Sequence, residues 1–142
     1  MKILILSRAR AEGFSNKYLA EPYAIISITD RAVNDAVFNE NSALKAVLRL
    51  KFNDADGLTE NAISSVDAKR IIDFVQSWKE CIRLIVVHCE AGMSRSAGVG
   101  AALMLWLNGD DSPVFNNAYF RPNMRCYRTM LNELERGGLL KC

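Results

Sequence analysis

The sequence predicts an α/β fold in which a central, mostly parallel sheet of four or five strands is flanked by helices. Two observations predict it. Short apolar segments alternate along the chain with helical patterns, and the last of these segments runs into a loop and then a helix of small residues. Short apolar runs are typical of strands covered on both faces, and alternation with helices is typical of layered parallel sheets.

The predicted elements follow from hydrophobic spacing. Predicted strands cover residues 1–6, 23–28, 47–52 and 82–88, and predicted helices cover residues 61–79, 97–107 and 123–136. In the first helix, apolar residues recur mostly every three or four positions, Val66 among them. The last helix begins near Pro122 and Asn123, because an asparagine side chain can cap free backbone N–H groups.

Length and charge narrow the class of protein. With 142 residues we expect one domain over residues 1–142. The 18 basic and 16 acidic residues give a net charge of +2, which disfavours a nucleic-acid partner. No apolar run approaches the roughly 18 residues of a membrane span, or the about 7–15 of a secretory signal. We therefore expect a cytoplasmic protein without a membrane partner.

Cysteine usage predicts free thiols and no metal. In a reducing compartment Cys81, Cys89, Cys126 and Cys142 are expected to stay unpaired, with Cys81 and Cys126 as packing residues. There is no Cys-x-x-Cys pair, and His88 is the only histidine. A zinc site needs nitrogen or sulfur ligands at close spacing, so no metal and no cofactor is predicted.

The segment after the fourth strand carries the chemistry. Cys89 is followed by five residues and then Arg95, between a predicted strand and a predicted helix. A tight loop at a helix N-terminus directs backbone N–H groups into one concavity that binds an anion, and Gly92 supplies the curvature. Arg95 can hold two phosphate oxygens at once. Such a setting lowers a cysteine pKa from its usual value of about 8.5, which makes Cys89 a nucleophile.

Residues 87–97 resemble the signature of the cysteine-dependent protein tyrosine phosphatase superfamily, and most closely its compact dual-specificity branch. The resemblance extends upstream to residues 51–54 and downstream to Pro122 and Asn123, so that it covers residues 47 to 136. It implies that Cys89 is the nucleophile, that Arg95 binds phosphate and that Ser96 donates a hydrogen bond to the thiolate. His88 would order the loop from behind. The implied substrate-binding residues are Glu90, Ala91, Gly92, Met93, Ser94 and Arg95.

The resemblance also implies an aspartate that acts as general acid after the third strand. Strand alternation puts Asp54 on the same side as the apolar residues of strand 47–52, at its carboxyl edge. Asp56 is the alternative. It precedes Gly57 and fits a tight turn, and either aspartate could be a turn residue only.

By this resemblance the protein is a metal-independent phosphatase that works through a phosphocysteine intermediate. Its substrates would be phosphotyrosine, with phosphoserine and phosphothreonine as further candidates, in a phosphoprotein, or a small aryl phosphate. The acidic Glu90 argues against a phosphoinositide. Two alternatives use the same loop: a phosphate-binding module without turnover, and a sulfurtransferase or arsenate reductase. The oligomeric state is left open.

Overall fold

The sheet has four strands, and all of its pairs are parallel. The computed structural model describes residues 1–17, 20–55 and 60–140. Within them the strands are β1 (Lys2–Ser7), β2 (Tyr23–Thr29), β3 (Leu44–Lys51) and β4 (Leu84–Cys89). Their order across the sheet is β1-β4-β2-β3. The predicted α/β class and the mostly parallel sheet are confirmed.

Five helices pack around this sheet in the described ranges. They are α1 (Arg8–Phe14), α2 (Ser65–Trp78), α3 (Arg95–Asn108), α4 (Ser112–Phe115) and α5 (Met124–Arg136). The three predicted helices correspond to α2, α3 and α5. Neither α1 nor α4 was predicted, because each is short and has a single buried residue, which leaves no apolar periodicity to detect. None of the described helices is long and apolar enough to cross a membrane.

The first predicted helix and the turn after it differ from the sequence analysis in three details. Val66 is 66% exposed, since it lies on the outer side of α2. The helix also begins later than predicted, at Ser65, because Ser64 and Asp67 form a capping box. Cys81 is exposed rather than packed, in the turn that follows α2.

The two faces of β4 belong to different hydrophobic clusters. Ile85, Val87 and Cys89 lie in the cluster that also contains buried residues of α2, α3 and α5. Leu84 and Val86 lie in the cluster on the opposite face, with α1. Because β4 is a central strand, both of its faces are covered, which is the reason for its continuous apolar run.

The carboxyl ends of the strands meet at one edge of the sheet. β4 ends at Cys89, and β2, its hydrogen-bonded neighbour, ends one residue before Asp30. Ligands of parallel α/β sheets bind at this edge. The fold therefore brings the end of β2 close to the segment from Cys89 to Arg95, which the sequence analysis identified as the candidate site.

Gly98 allows α3 and α5 to approach closely, and it gives the first testable prediction. A Cβ atom at Gly98 would clash with the Asn123 carbonyl oxygen and lie 2.9 Å from Cys126 Cβ. We expect Gly98→Ala to lower the free energy of unfolding by about 1–3 kcal/mol, the usual cost of overpacking. Urea denaturation measures the change.

Gly13→Ala is the matched control, because no atom lies within 4 Å of a Cβ placed at that position of α1. It should leave stability unchanged or raise it slightly, since alanine favours helix over glycine. Equal destabilisation by both substitutions would contradict the proposed close contact.

Candidate active site

The segment from Cys89 to Arg95 forms a loop between β4 and α3, and we call it the Cys89–Arg95 loop. Gly92 has a φ of 71°, in the left-handed region that glycine adopts freely. A Cβ atom there would lie 2.5 Å from the Leu6 carbonyl carbon and from the Ser7 nitrogen at the end of β1. Two requirements therefore coincide at Gly92, the turn of the loop and its close approach to β1.

Cys89 lies at the base of this loop. The residue is 2% exposed, and its Sγ atom is 3.1 Å from Ser96 Oγ in the first turn of α3. The backbone N–H groups of residues 90–94 donate to none of the described residues. These donors are free to receive an anion next to the sulfur.

The guanidinium of Arg95 is buried and only partly paired. Arg95 is 5% exposed. Its Nη1 atom donates to Asp30 Oδ1 at 2.6 Å and to the Phe52 carbonyl oxygen at 2.9 Å. Its Nε atom is buried and has no hydrogen-bond partner among the described residues. Native proteins rarely leave a charged buried donor unpaired, so the Nε atom is available to a ligand.

Asp30 is a site residue that the sequence analysis missed. Its carboxylate orients Arg95, while 41% of its side chain remains exposed. The available signal was an acidic residue directly after the apolar strand β2. Recognising it required the strand order, because β2 becomes the neighbour of β4 only through that order.

Asp54 lies beside the Cys89–Arg95 loop. Its Oδ1 atom accepts hydrogen bonds from Ser94 Oγ and from Asn123 Nδ2, both at 2.8 Å. Asn123 is 6% exposed, and its Oδ1 atom accepts from the Cys126 backbone N–H, as the predicted cap of α5. One buried amide thus caps a helix and positions a carboxylate. The alternative, Asp56, lies outside the described residues.

His88 is completely buried behind the loop. Its Nδ1 atom is 3.1 Å from the Cys89 carbonyl oxygen, and its Nε2 atom is 2.6 Å from Ser27 Oγ. Burial lowers the pKa of the imidazole below its usual value of 6.5. The ring is therefore neutral at physiological pH, with one nitrogen as donor and the other as acceptor.

Two residues line the rim of the loop. Arg8 forms an ion pair with Glu90, with 3.2 Å between Nη1 and Oε1. Tyr119 is 57% exposed, and its hydroxyl oxygen is 3.5 Å from the Ala91 carbonyl oxygen. The rim thus carries a balanced charge pair and an exposed aromatic side chain.

The segment of residues 30–43 follows β2 beside the site and contains no helix or strand. Basic side chains hold it in place. Arg8 donates to the Asp35 carbonyl oxygen, Arg49 to that of Ala36 and Lys51 to that of Val33, at 2.7–2.8 Å. Long ordered loops of this kind are commonly part of a functional site.

Cys126 is a buried thiol in α5. It is 1% exposed, and burial raises the pKa of its thiol to about 12. Cys126 therefore stays protonated and acts as a packing residue, as predicted. All three described cysteines are free thiols.

Comparisons with solved structures place the fold among compact phosphatases. No protein-family model and no curated protein matches the sequence. Human DUSP28 matches with a TM-score of 0.65 and 15% identity over 96% of this chain and 93% of that one. The human tyrosine phosphatase-like serine/threonine/tyrosine-interacting protein matches with a TM-score of 0.60 and 20% identity over 84% and 80%. PTPMT1 in complex with PI(5)P matches with a TM-score of 0.57 and 15% identity over 96% and 94%.

These likenesses establish the fold. The chain has the fold of compact dual-specificity-phosphatase-like cysteine phosphatases, which the motif resemblance implied. At identities of 15% to 20%, these matches concern the fold alone.

The contact between Asp30 and Arg95 gives the second prediction. We expect Asp30→Ala to weaken tungstate binding about tenfold or more, because the guanidinium loses the charge-assisted hydrogen bond that orients it. Asp30→Asn keeps an acceptor and should have a smaller effect. Isothermal titration calorimetry with tungstate measures both.

Asp35→Ala is the control, since Asp35 is an exposed carboxylate paired with Lys51 at 3.1 Å. Its removal should leave tungstate affinity unchanged. If tungstate binds more tightly after Asp30→Ala, Asp30 acts only as a charge that competes with the anion.

Proposed function

We propose that this protein is a phosphomonoesterase that removes phosphate from phosphotyrosine in proteins through a phosphocysteine intermediate. One observation carries the proposal: the buried Arg95 guanidinium leaves its Nε atom without a partner among the described residues, next to a loop of unpaired backbone N–H groups. A phosphoryl group satisfies both sets of donors at once.

In the first step the Cys89 thiolate attacks the phosphorus atom. The bond between phosphorus and the ester oxygen breaks, and the leaving oxygen takes a proton from the Asp54 carboxyl group. The backbone N–H groups of residues 90–95 and the Arg95 guanidinium stabilise the charge on the transferring phosphoryl oxygens. The position of Asp54 beside Ser94 supports this assignment.

In the second step a water molecule attacks the phosphocysteine. Asp54, now a carboxylate, accepts the proton of the water, and the bond between sulfur and phosphorus breaks to release inorganic phosphate. The Ser96 hydroxyl donates a hydrogen bond to the departing thiolate, a role supported by its 3.1 Å distance from Cys89 Sγ.

The rim favours an aromatic phosphate ester. The exposed Tyr119 ring lies next to the loop and can pack against the ring of a phosphotyrosine. The charge argument against phosphoinositides is weaker than the sequence suggested, because Arg8 pairs with Glu90. Initial rates on phosphotyrosine, phosphoserine and phosphothreonine peptides and on PI(5)P vesicles compare these substrates. Faster hydrolysis of the vesicles would overturn the preference for phosphotyrosine.

The third prediction concerns the nucleophile. Cys89→Ser should abolish release of p-nitrophenol from p-nitrophenyl phosphate, because a hydroxyl supplies almost no anionic nucleophile at neutral pH. Phosphate binding should remain partly intact, since the Arg95 guanidinium and the backbone donors are unchanged. A p-nitrophenol assay and phosphate titration of the same preparation measure both.

Cys81→Ser is the matched control, because Cys81 is exposed and precedes β4, at the end of that strand opposite Cys89. It should retain full turnover. If the wild-type protein binds phosphate and releases no product, the chain is a phosphate-binding module without turnover. Sulfur transfer from thiosulfate would instead support the sulfurtransferase alternative.

The fourth prediction concerns the general acid. Asp54→Asn should lower kcat about 10²–10⁴-fold for an alkyl phosphate, the usual contribution of a positioned acid. The loss should be smaller for p-nitrophenyl phosphate, whose leaving group needs little protonation. Steady-state kinetics with both substrates test this dependence.

Asp56→Asn provides the comparison for the same pair of substrates. It should change neither rate substantially. If Asp56→Asn shows the dependence on the leaving group and Asp54→Asn does not, then Asp56 is the general acid.

A further inference from the structure

Arg8 holds Glu90, the residue that follows Cys89 in the Cys89–Arg95 loop, at two points. Arg8 comes directly after β1, and the parallel register of β1 and β4 pairs Ser7 with Cys89. The Arg8 backbone N–H donates to the Glu90 carbonyl oxygen at 3.1 Å. The Arg8 guanidinium donates to the Glu90 carboxylate, with 3.2 Å between Nη1 and Oε1. Residue 8 therefore fixes both the backbone and the side chain of residue 90.

Contacts on its other sides keep the Arg8 guanidinium in place. Its Nη2 atom donates to the Asp35 carbonyl oxygen at 2.8 Å, and its Nε atom lies 3.7 Å from Glu12 Oε2. The Glu12 carboxylate also accepts the Val37 backbone N–H at 2.7 Å. Most surface ion pairs contribute little, because two long side chains must be ordered to form them. Arg8 is already ordered by groups other than Glu90, so its Nη1 atom would still face the loop without the Glu90 carboxylate.

An ordered guanidinium at the edge of a phosphate site is itself an anion receptor, because its planar donors match the oxygens of carboxylates and phosphates. In this chain a carboxylate of the loop occupies that receptor. A ligand that places one phosphate in the loop and a second one toward α1 would have to displace Glu90 from Arg8. The displaced carboxylate would then lie without its cation beside two phosphates of like charge.

We propose that Glu90 is a specificity-determining residue: its carboxylate occupies the Arg8 guanidinium and thereby restricts the loop to ligands with a single phosphate. The inference rests on the proposed function, because it takes the loop as the phosphate site. It assigns the substrates to esters with one phosphate, such as a singly phosphorylated peptide. Ligands with two or more phosphates close together are disfavoured because the receptor for the second phosphate is already occupied.

A second basic side chain lies on another side of the loop. Arg121 is exposed, and its backbone N–H donates to the Met93 carbonyl oxygen at 2.9 Å. It lines a cavity of about 290 Å³ together with Asp54 and Ser94. The Asp54 carboxylate disfavours an anion in that cavity, so Arg8 is the better receptor for a second phosphate.

Binding of inorganic phosphate and of tripolyphosphate compares one phosphate with several. Both are titrated by isothermal titration calorimetry into the Cys89→Ser protein, which lacks the nucleophile of the proposed reaction. Adding Glu90→Ala should raise the affinity for tripolyphosphate about tenfold and that for phosphate less than about threefold, because the released guanidinium reaches only the longer ligand. Equal gains for the two anions would overturn the proposal, since Glu90 would then act only as a nearby charge. The absence of any gain for tripolyphosphate would overturn it as well.

Removal of Arg8 identifies the receptor. Adding Arg8→Ala to the Glu90→Ala protein should return the tripolyphosphate affinity to within about threefold of its starting value, because the guanidinium that bound the second phosphate is gone. A gain that survives Arg8→Ala would assign the second phosphate to another cation, such as Arg121, and would contradict the proposal.

Asp73→Ala in the same Cys89→Ser protein is the matched control. Asp73 pairs with Lys69 at 3.6 Å on the exposed side of α2, and both side chains line a cavity with the C-terminal end of α5. The substitution changes the net charge as Glu90→Ala does and also releases a cation, so it should change neither affinity. A similar gain in tripolyphosphate affinity would attribute the effect to net charge alone and contradict the role of Glu90.

These titrations need no turnover, so the specificity and the proposed function can fail separately. If the wild-type protein does not hydrolyse p-nitrophenyl phosphate while Glu90→Ala gives the expected gain, the proposed function falls and the role of Glu90 stands. If the wild-type protein hydrolyses p-nitrophenyl phosphate and Glu90→Ala gives no gain, the role of Glu90 falls and the proposed function stands.

Discussion

The buried positive charge of Arg95 is the constraint on which the site depends. A guanidinium removed from water is costly unless charged or polar partners surround it. Here Asp30 from the end of β2 and the Phe52 carbonyl that follows β3 both engage Nη1. The carboxyl ends of two strands and the start of α3 are thereby held together. The Nε atom is left without a partner among the described residues and is open to a bound anion. The need to balance the buried charge and the proposed affinity for phosphate therefore have one origin.

The alternation of side chains along β4 explains how Cys89, the proposed nucleophile, is supported from both faces of the sheet. Cys89 belongs to the hydrophobic cluster with α2, α3 and α5, whereas the preceding residue, His88, lies on the opposite face. The two side chains therefore lie in different parts of the core, on opposite faces of the sheet. The Cys89 carbonyl connects them, because it lies in the backbone between the two faces. On one face the Cys89 thiol contacts the Ser96 hydroxyl. On the other face His88 contacts the Cys89 carbonyl oxygen.

The sequence predicted the features that depend on local structure and missed those that depend on non-local structure. The strand segments, the Cys89–Arg95 loop and the Asn123 cap follow from local spacing and turn chemistry, and all could be inferred. Strand alternation does not extend to Asp54, because β3 ends at Lys51. The position of Asp54 beside the loop comes instead from its contacts with Ser94 and Asn123. Asp30 could not be inferred, because its role depends on a strand order in which β2 lies next to β4. The same register brings Ser27 to His88. Single-sequence periodicity does not encode which strands become neighbours, and it does not detect a helix as short as α1.

The N-terminus of α3 departs from the rule that the other long helices obey. Ser64 caps α2, and Asn123 caps α5, each with its side chain. Ser94 occupies the equivalent position of α3 and makes no such bond; its hydroxyl donates to Asp54 instead. A missing side-chain cap costs a helix about 0.5–2 kcal/mol and leaves its first N–H groups unpaired. Local violations of this kind are expected at functional sites. The unpaired N–H groups of the first turn of α3 lie beside the Cys89 sulfur. In the proposed reaction, the phosphoryl group would accept hydrogen bonds from them and so take the place of the missing cap.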